Sequence, residues 1–149
     1  MKIINEMTIS FKALSVNEAF ARSLVAAFCV QVNPTLDEIT DIKTAVSEAV
    51  TNSVVHAYPK GCGDVTINVK LYENKALITI SDTGVGITNM EKAREPFFTT
   101  KPDEERSGMG FTVMESFMDE VELSKNGSHG VKIQMLKNFG EVKRKIVGE

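Results

Sequence analysis

The segment Ile78-Thr79-Ile80-Ser81-Asp82-Thr83-Gly84-Val85-Gly86-Ile87 constrains this chain more than any other. Its alternating apolar run predicts a half-buried strand. That strand ends in one carboxylate followed by two glycines, whose conformational freedom lets the backbone bend sharply and come close to a ligand. A strand that delivers an acceptor to such a turn has the chemistry to read the amino group of a purine. Ordinary turns use the same residue types, so the meaning of the segment depends on what flanks it.

A chain of 149 residues, 42% hydrophobic and 25% charged, has the composition of a soluble globular protein and suits one domain spanning 1–149 with one core. The formal net charge of -3 argues against sequence-independent nucleic-acid binding, which calls for a basic surface. Proteins and small molecules are the expected partners. Cys29 and Cys62 form no CxxC or Cys/His cluster, so neither a metal site nor a disulfide framework is indicated; Cys29 reads as a helix core residue and Cys62 as a loop thiol. No apolar run reaches the length of a signal segment or membrane span, and a cytoplasmic location is expected.

Met7, Ile9 and Phe11 alternate with polar residues and predict a first strand. Ser15 stands three before Glu18, the spacing of a capping box, ahead of a helix over about 16–32 with Ala19, Phe20, Leu24, Ala27 and Phe28 as its apolar stripe. Thr35 and Glu38 repeat that spacing before a longer helix through Ala57. On it, Ile39, Ile42, Val46, Ala49, Val50, Ser53 and Val54 share a packing sector, while Glu48 and Asn52, four apart, stand together on roughly the opposite side. Two strands over Val65–Leu71 and Ala76–Ser81, joined at Glu73-Asn74, follow. From Thr88 to Ser107 the pattern dissolves apart from a short helix near Met90 to Arg94, which predicts a lid. Gly108-Met109-Gly110 then opens an apolar helix, and strands either side of an Asn126-Gly127 turn close the chain, with a frayed basic tail after Lys137. The order β-α-α-β-β-lid-α-β-β predicts an α+β two-layer α/β sandwich with a mixed, mostly antiparallel sheet.

Several residue types along this order suit phosphoryl transfer. The Asn52 carboxamide suits Mg²⁺, which takes one or two protein oxygens and otherwise keeps waters and phosphate oxygens. Glu48, one turn earlier, suits the removal of a proton from an attacking hydroxyl or water. Gly108 and Gly110 at a helix start suit phosphate, because unpaired amides point outward there and no side chain intervenes. Arg106 is placed to stabilise phosphoryl charge, and Thr99, Thr100 and Lys101 to close over phosphates.

Taken in order, Glu48-x3-Asn52, Asp82-Thr83-Gly84-Val85-Gly86, the lid and Gly108-Met109-Gly110 resemble the nucleotide-binding boxes of the GHKL ATPase and kinase superfamily, the Bergerat fold. The segments Val46–Asn52, Ala93–Pro102 and Glu105–Phe111 are similar to those of the bacterial anti-sigma serine-protein kinases, and within them to the anti-sigma-F branch of endospore formers. The resemblance covers nearly the whole chain. It implies that Asp82 reads the adenine amino group, that Gly84 and Gly86 shape that pocket, that Asn52 holds Mg²⁺, and that Gly108 and Gly110 admit the phosphates of ATP. It implies further that Glu48 activates a serine hydroxyl of an anti-anti-sigma protein with help from Arg106, and that a homodimer holds a sigma-F-like factor through the first-helix region, with Arg22 a candidate contact. The other functions open to such a chain are a nucleotide-gated sigma-binding module with negligible turnover, the general-stress counterpart, and a water-using ATPase. One departure stands out: relatives in this family commonly carry Gly-Thr where this chain has Gly130-Val131, and the threonine hydroxyl supports the adenine-reading aspartate. A valine side chain offers no such hydrogen bond, so Asp82 is expected to have less support here.

Overall fold

The architecture is set by a five-stranded sheet in the order β1-β2-β3-β5-β4, seen in a computed structural model that describes residues 2–58, 63–85 and 110–140. In chain order the described elements are β1 (Asn5–Lys12), α1 (Val16–Cys29), α2 (Leu36–Asn52), β2 (Asp64–Tyr72), β3 (Lys75–Asp82), α3 (Gly110–Phe117), β4 (Glu120–Lys125) and β5 (Val131–Asn138). Every pairing among them is antiparallel. The short helix expected near Met90 to Arg94 lies outside the described residues.

Alternation decides which side of the sheet is covered. Val65, Ile67, Val69 and Leu71 of β2, with Ala76, Ile78 and Ile80 of β3 and Ile133 and Met135 of β5, are fully buried and join helix residues in one core. The residues between them carry hydroxyls and amides: Ser10 pairs with Thr66 at 2.8 Å, and Asn68 donates to Glu6 and Thr8 at 2.8 and 2.9 Å. The two-residue Glu73-Asn74 turn sets the β2–β3 register, with Tyr72 opposite Lys75.

Helix α2 lies between α1 and α3 and packs on both. Its buried face, Ile42, Ala45, Val46, Ala49 and Val50, is the sector expected from the sequence with Ala45 added. Helix α1 differs from expectation. Its buried residues are Ala21, Val25, Ala26 and Cys29, whereas Phe20 is about half exposed and meets the Phe11 ring edge-on at 6.5 Å between centroids. The buried positions of α1 carry short side chains, and the bulky Phe20 ring lies at the flank against Phe11. Burial pushes the Cys29 thiol up to about 12, so it packs as an inert apolar group.

The helix termini also separate the two expected capping boxes. At α2 the box forms in full: the Glu38 N–H donates to Thr35 Oγ1 at 3.1 Å and the Thr35 N–H donates to Glu38 Oε1 at 2.7 Å. At α1, Ser15 makes no side-chain cap. The Glu18 carboxylate is instead engaged by Arg22 Nη1 at 2.6 Å and by the Thr51 hydroxyl at 3.5 Å.

Residues 138–140 depart from the frayed tail expected after Lys137, and the rest of that tail lies outside the described residues. Phe139 is 2% exposed and its N–H donates to the Asn74 carbonyl at 2.7 Å. The Gly140 N–H donates to Glu38 Oε2 at 2.9 Å, and Lys137 Nζ pairs with Asp41 at 2.9 Å. The end of β5 is thus latched to the first turn of α2.

Burial pushes the Glu38 carboxyl up, but the bonds from the Thr35 and Gly140 N–H groups and the Thr35 side chain, with the Lys137 charge, outweigh it and hold it below the ordinary value of 4.5. A lowered folded-state value means that its stabilisation is present above the unfolded value and is lost as pH falls through the folded one. Glu38→Gln is therefore expected to lower the thermal midpoint at neutral pH. The gap from wild type should close in acid below the ordinary carboxylate range; a gap independent of pH would refute the role given to the charge.

Candidate functional site

Strand β3 ends in Asp82 on the helix-facing side of the sheet, only 3% exposed. A carboxylate in that position needs donors, and they come from well-separated segments. Its Oδ1 accepts the N–H groups of Gly84 at 3.0 Å and Val131 at 3.2 Å, and its Oδ2 accepts the Ser53 hydroxyl at 3.0 Å. Ser53 is 2% exposed, and among the described residues it and Asp82 are the buried polar or charged ones.

The backbone around Asp82 is held as firmly. Its carbonyl accepts the Asn126 side-chain amide at 2.7 Å. The Thr83 N–H donates to the Tyr58 hydroxyl at 3.0 Å, and that hydroxyl donates to the Asp64 carbonyl at 2.7 Å, which ties the turn to the start of β2. The Val85 N–H donates to the Ala57 carbonyl at 2.9 Å.

That carbonyl is available because of how α2 ends. After Asn52 the helix widens into one π-type turn, Ser53–Ala57, a feature that often marks functional sites. Ser53 and Ala57 are both buried in it. The first faces the Asp82 carboxylate and the second closes on the following turn. Gly84 fits there because a Cβ would stand 2.1 Å from the Ala57 carbonyl oxygen. Its glycine is thus needed for the turn to seat against the helix end.

The β4–β5 connection serves the same purpose. Where a two-residue turn at Asn126-Gly127 was expected, Lys125 pairs with Val131 and five residues intervene. The longer loop carries Asn126 to the Asp82 carbonyl and brings Gly130 against it, with φ of 89° and a notional Cβ 1.9 Å from that oxygen.

Val131 therefore gives no side-chain hydrogen bond, as expected, but Asp82 is not left short of support. The main-chain N–H of the same residue and the Ser53 hydroxyl supply it. Ser53, Tyr58 and Asn126 are the residues of this site that sequence does not single out. The available signal was a serine in an otherwise apolar helix sector directly after Asn52.

Glu48 and Asn52 stand one turn apart on α2, each partly buried. Thr51 lies between them and links through Glu18 to Arg22, whose side chain is 39% exposed. Gly110 opens α3, which packs on α2. Gly86, Thr99, Thr100, Lys101, Arg106 and Gly108 lie outside the described residues. Among the described residues no three His, Cys, Asp or Glu side chains gather as a metal site. The Asn52 oxygen is a hard donor of the kind Mg²⁺ accepts alongside phosphate oxygens, so the donor chemistry fits. No helix among the described residues is long and apolar enough to cross a membrane.

A family model described as histidine kinase-like ATPase domain matches residues 11–137. The anti-sigma F factor of Bacillus subtilis (strain 168) is 52% identical over 140 residues, covering 93% of this chain and 96% of the relative. The anti-sigma F factor of Bacillus cytotoxicus is 57% identical over 136 residues, covering 89% and 92%. Among solved structures, that of the RsbU and RsbW domains of Rv1364c from Mycobacterium tuberculosis superposes with a TM-score of 0.65 at 16% identity, over 91% of this chain and 32% of the other. The α+β sandwich is the fold of that ATPase family.

The closeness of Gly130 to Asp82 makes a specific demand. Gly130→Ala is expected to cost about 3 kcal/mol or more, since it combines a positive φ with a backbone clash. Gly127→Ala, with φ of 66° but nothing within 4 Å of its notional Cβ, should cost about 1 kcal/mol. Urea unfolding of both variants checks the difference; equal costs would mean that the Asp82 contact is immaterial.

Proposed function

The chain belongs to the histidine kinase-like ATPase family, and from that premise we propose that residues 1–149 act as one nucleotide-binding domain, an anti-sigma factor that is also an ATP-dependent protein-serine kinase. The observation that carries this reading is the placement on one helix end of Glu48, Asn52 and Ser53, with Ser53 bonded to the buried Asp82 carboxylate. The relatives that match over nearly their whole length are anti-sigma F factors, which supports a sigma factor of that kind as the protein held, in the cytoplasm and by a homodimer.

The division of labour follows from chemistry. Asp82 accepts from the adenine amino group, within the turn fixed by Gly84 and continued by Gly86. Thr99, Thr100 and Lys101 close over the phosphates, and Gly108 and Gly110 give them room at the start of α3. Asn52 holds Mg²⁺, which when bound neutralises phosphate charge and orients the γ-phosphoryl group. The Glu48 carboxylate takes the proton of a serine hydroxyl on an anti-anti-sigma protein. That oxygen forms the new bond to the γ-phosphorus as the β–γ bridging bond breaks, ADP leaves with the bridging oxygen, and Arg106 offsets the charge that develops. Arg22, anchored by Glu18 and through it to Thr51 on the catalytic helix, contacts the protein partner.

Two variants separate these roles. Glu48→Gln should keep the ATP dissociation constant within about threefold while phosphoserine formation falls by about 10² or more. Asp82→Asn should weaken ATP binding itself by about tenfold or more. Equal loss of nucleotide affinity in both would refute the division. Wild-type protein that binds sigma factor with Mg-ATP but never phosphorylates an anti-anti-sigma partner would sink the kinase claim and leave a nucleotide-gated binding module.

A further inference from the structure

We propose that Ser53 is a specificity-determining residue, setting the plane of the Asp82 carboxylate and thereby its selectivity for an amino-bearing purine. This rests on the reading of Asp82 as the base-contacting acceptor. Both main-chain donors, Gly84 N–H and Val131 N–H, converge on Oδ1. Oδ2 has the Ser53 hydroxyl at 3.0 Å as its donor among the described residues. Rotation about the Cβ–Cγ bond moves both oxygens together, so the two bonds on Oδ1 hold the plane from one side. The Ser53 bond on Oδ2 holds it from the other and narrows the remaining swing.

The plane matters because carboxylate lone pairs lie in it, and a hydrogen bond weakens steeply as its geometry departs from that direction. An amino group on a base samples that direction, whereas the phosphates of the same nucleotide do not. Ser53 reaches Oδ2 from the first residue of the π-type turn, so the widening of α2 is the feature that delivers it. With Ser53 and Asp82 at 2% and 3% exposure, water has little access to take the place of the hydroxyl.

The geometry also names the position that can take over. Val131 is 4% exposed and its N–H already lies 3.2 Å from Oδ1. Threonine has the shape of valine with a hydroxyl in place of one methyl, so Val131→Thr puts a second donor into the same buried cluster. The carboxylate's second anchor is thus transferable between the helix end and the start of β5.

The test is a comparison of ATP with inosine triphosphate, which carries a carbonyl where adenine has its amino group, by calorimetry on the full chain with Mg²⁺. In Ser53→Ala, ATP affinity is expected to fall about tenfold while inosine triphosphate affinity moves less than about twofold. Ser53→Ala/Val131→Thr should recover the ATP preference to within about threefold. A purely structural role for Ser53 would weaken both nucleotides alike and leave the ratio unchanged, and that result overturns the proposal, as does a double variant no more selective than Ser53→Ala. Wild type that does not prefer ATP overturns the reading of Asp82 and this inference together; wild type that prefers ATP, with Ser53→Ala equally selective, overturns the role of Ser53 alone.

Discussion

One buried carboxylate has to be kept satisfied, and much of this fold is arranged to do it. Leaving an ionised group unpaired in a protein interior costs several kcal/mol. The donors to Asp82 come from positions 53, 84 and 131, on the end of one helix, the turn after its own strand and the start of the last strand. The Gly84 N–H is local to the turn, but the Ser53 hydroxyl is in place only once α2 has docked and the Val131 N–H only once β5 has paired with β3. Completing the sheet and satisfying this carboxylate are therefore one event.

Helix α2 is held at both ends, and this fixes the positions of the residues between them. At its start the capping box with Thr35 shares the Glu38 carboxylate with Gly140, while Lys137 bridges to Asp41 and to the Phe117 carbonyl at the end of α3. At its finish the π-type turn meets Asp82 and Val85. Glu48 and Asn52 lie on the span between two anchors, so the helix cannot turn about its axis and re-aim them without breaking one of the anchors. The latch at β5 is far in sequence from the site, yet it acts on the register of the helix that carries it.

What was legible in the sequence was periodicity. Alternation at Val65–Leu71 and Ala76–Ser81, the Glu73-Asn74 turn and the Thr35–Glu38 spacing correspond to observed elements because local chemistry alone determines them. Helix α1 was less legible because its stripe favours large residues, and the fold buries small ones, Ala21, Val25 and Ala26. Choice of face there depends on a neighbour's shape, which no single helix encodes. The Ser15–Glu18 spacing misled for a related reason: Glu18 finds Arg22 and Thr51, and Thr51 is a tertiary partner. Asp82 could be placed at a strand end, but Ser53, Tyr58 and Asn126 become meaningful only through contacts 25 to 44 positions away.

The way Asp82 is supported explains why position 131 tolerates a valine and position 130 demands a glycine. A main-chain N–H is present whatever side chain follows it, so the bond from Val131 is insensitive to residue type so long as the strand keeps its register. Gly130 contributes no hydrogen bond to the carboxylate, yet its backbone passes so close to the Asp82 carbonyl that any Cβ would collide with it. Requirements on side-chain identity therefore fall on the residue that makes room and on Ser53, which donates through its side chain, and not on the residue that donates through its backbone. In this chain the side-chain hydroxyl that serves the carboxylate comes from the helix end, at 3.0 Å, and the start of β5 contributes through its main chain.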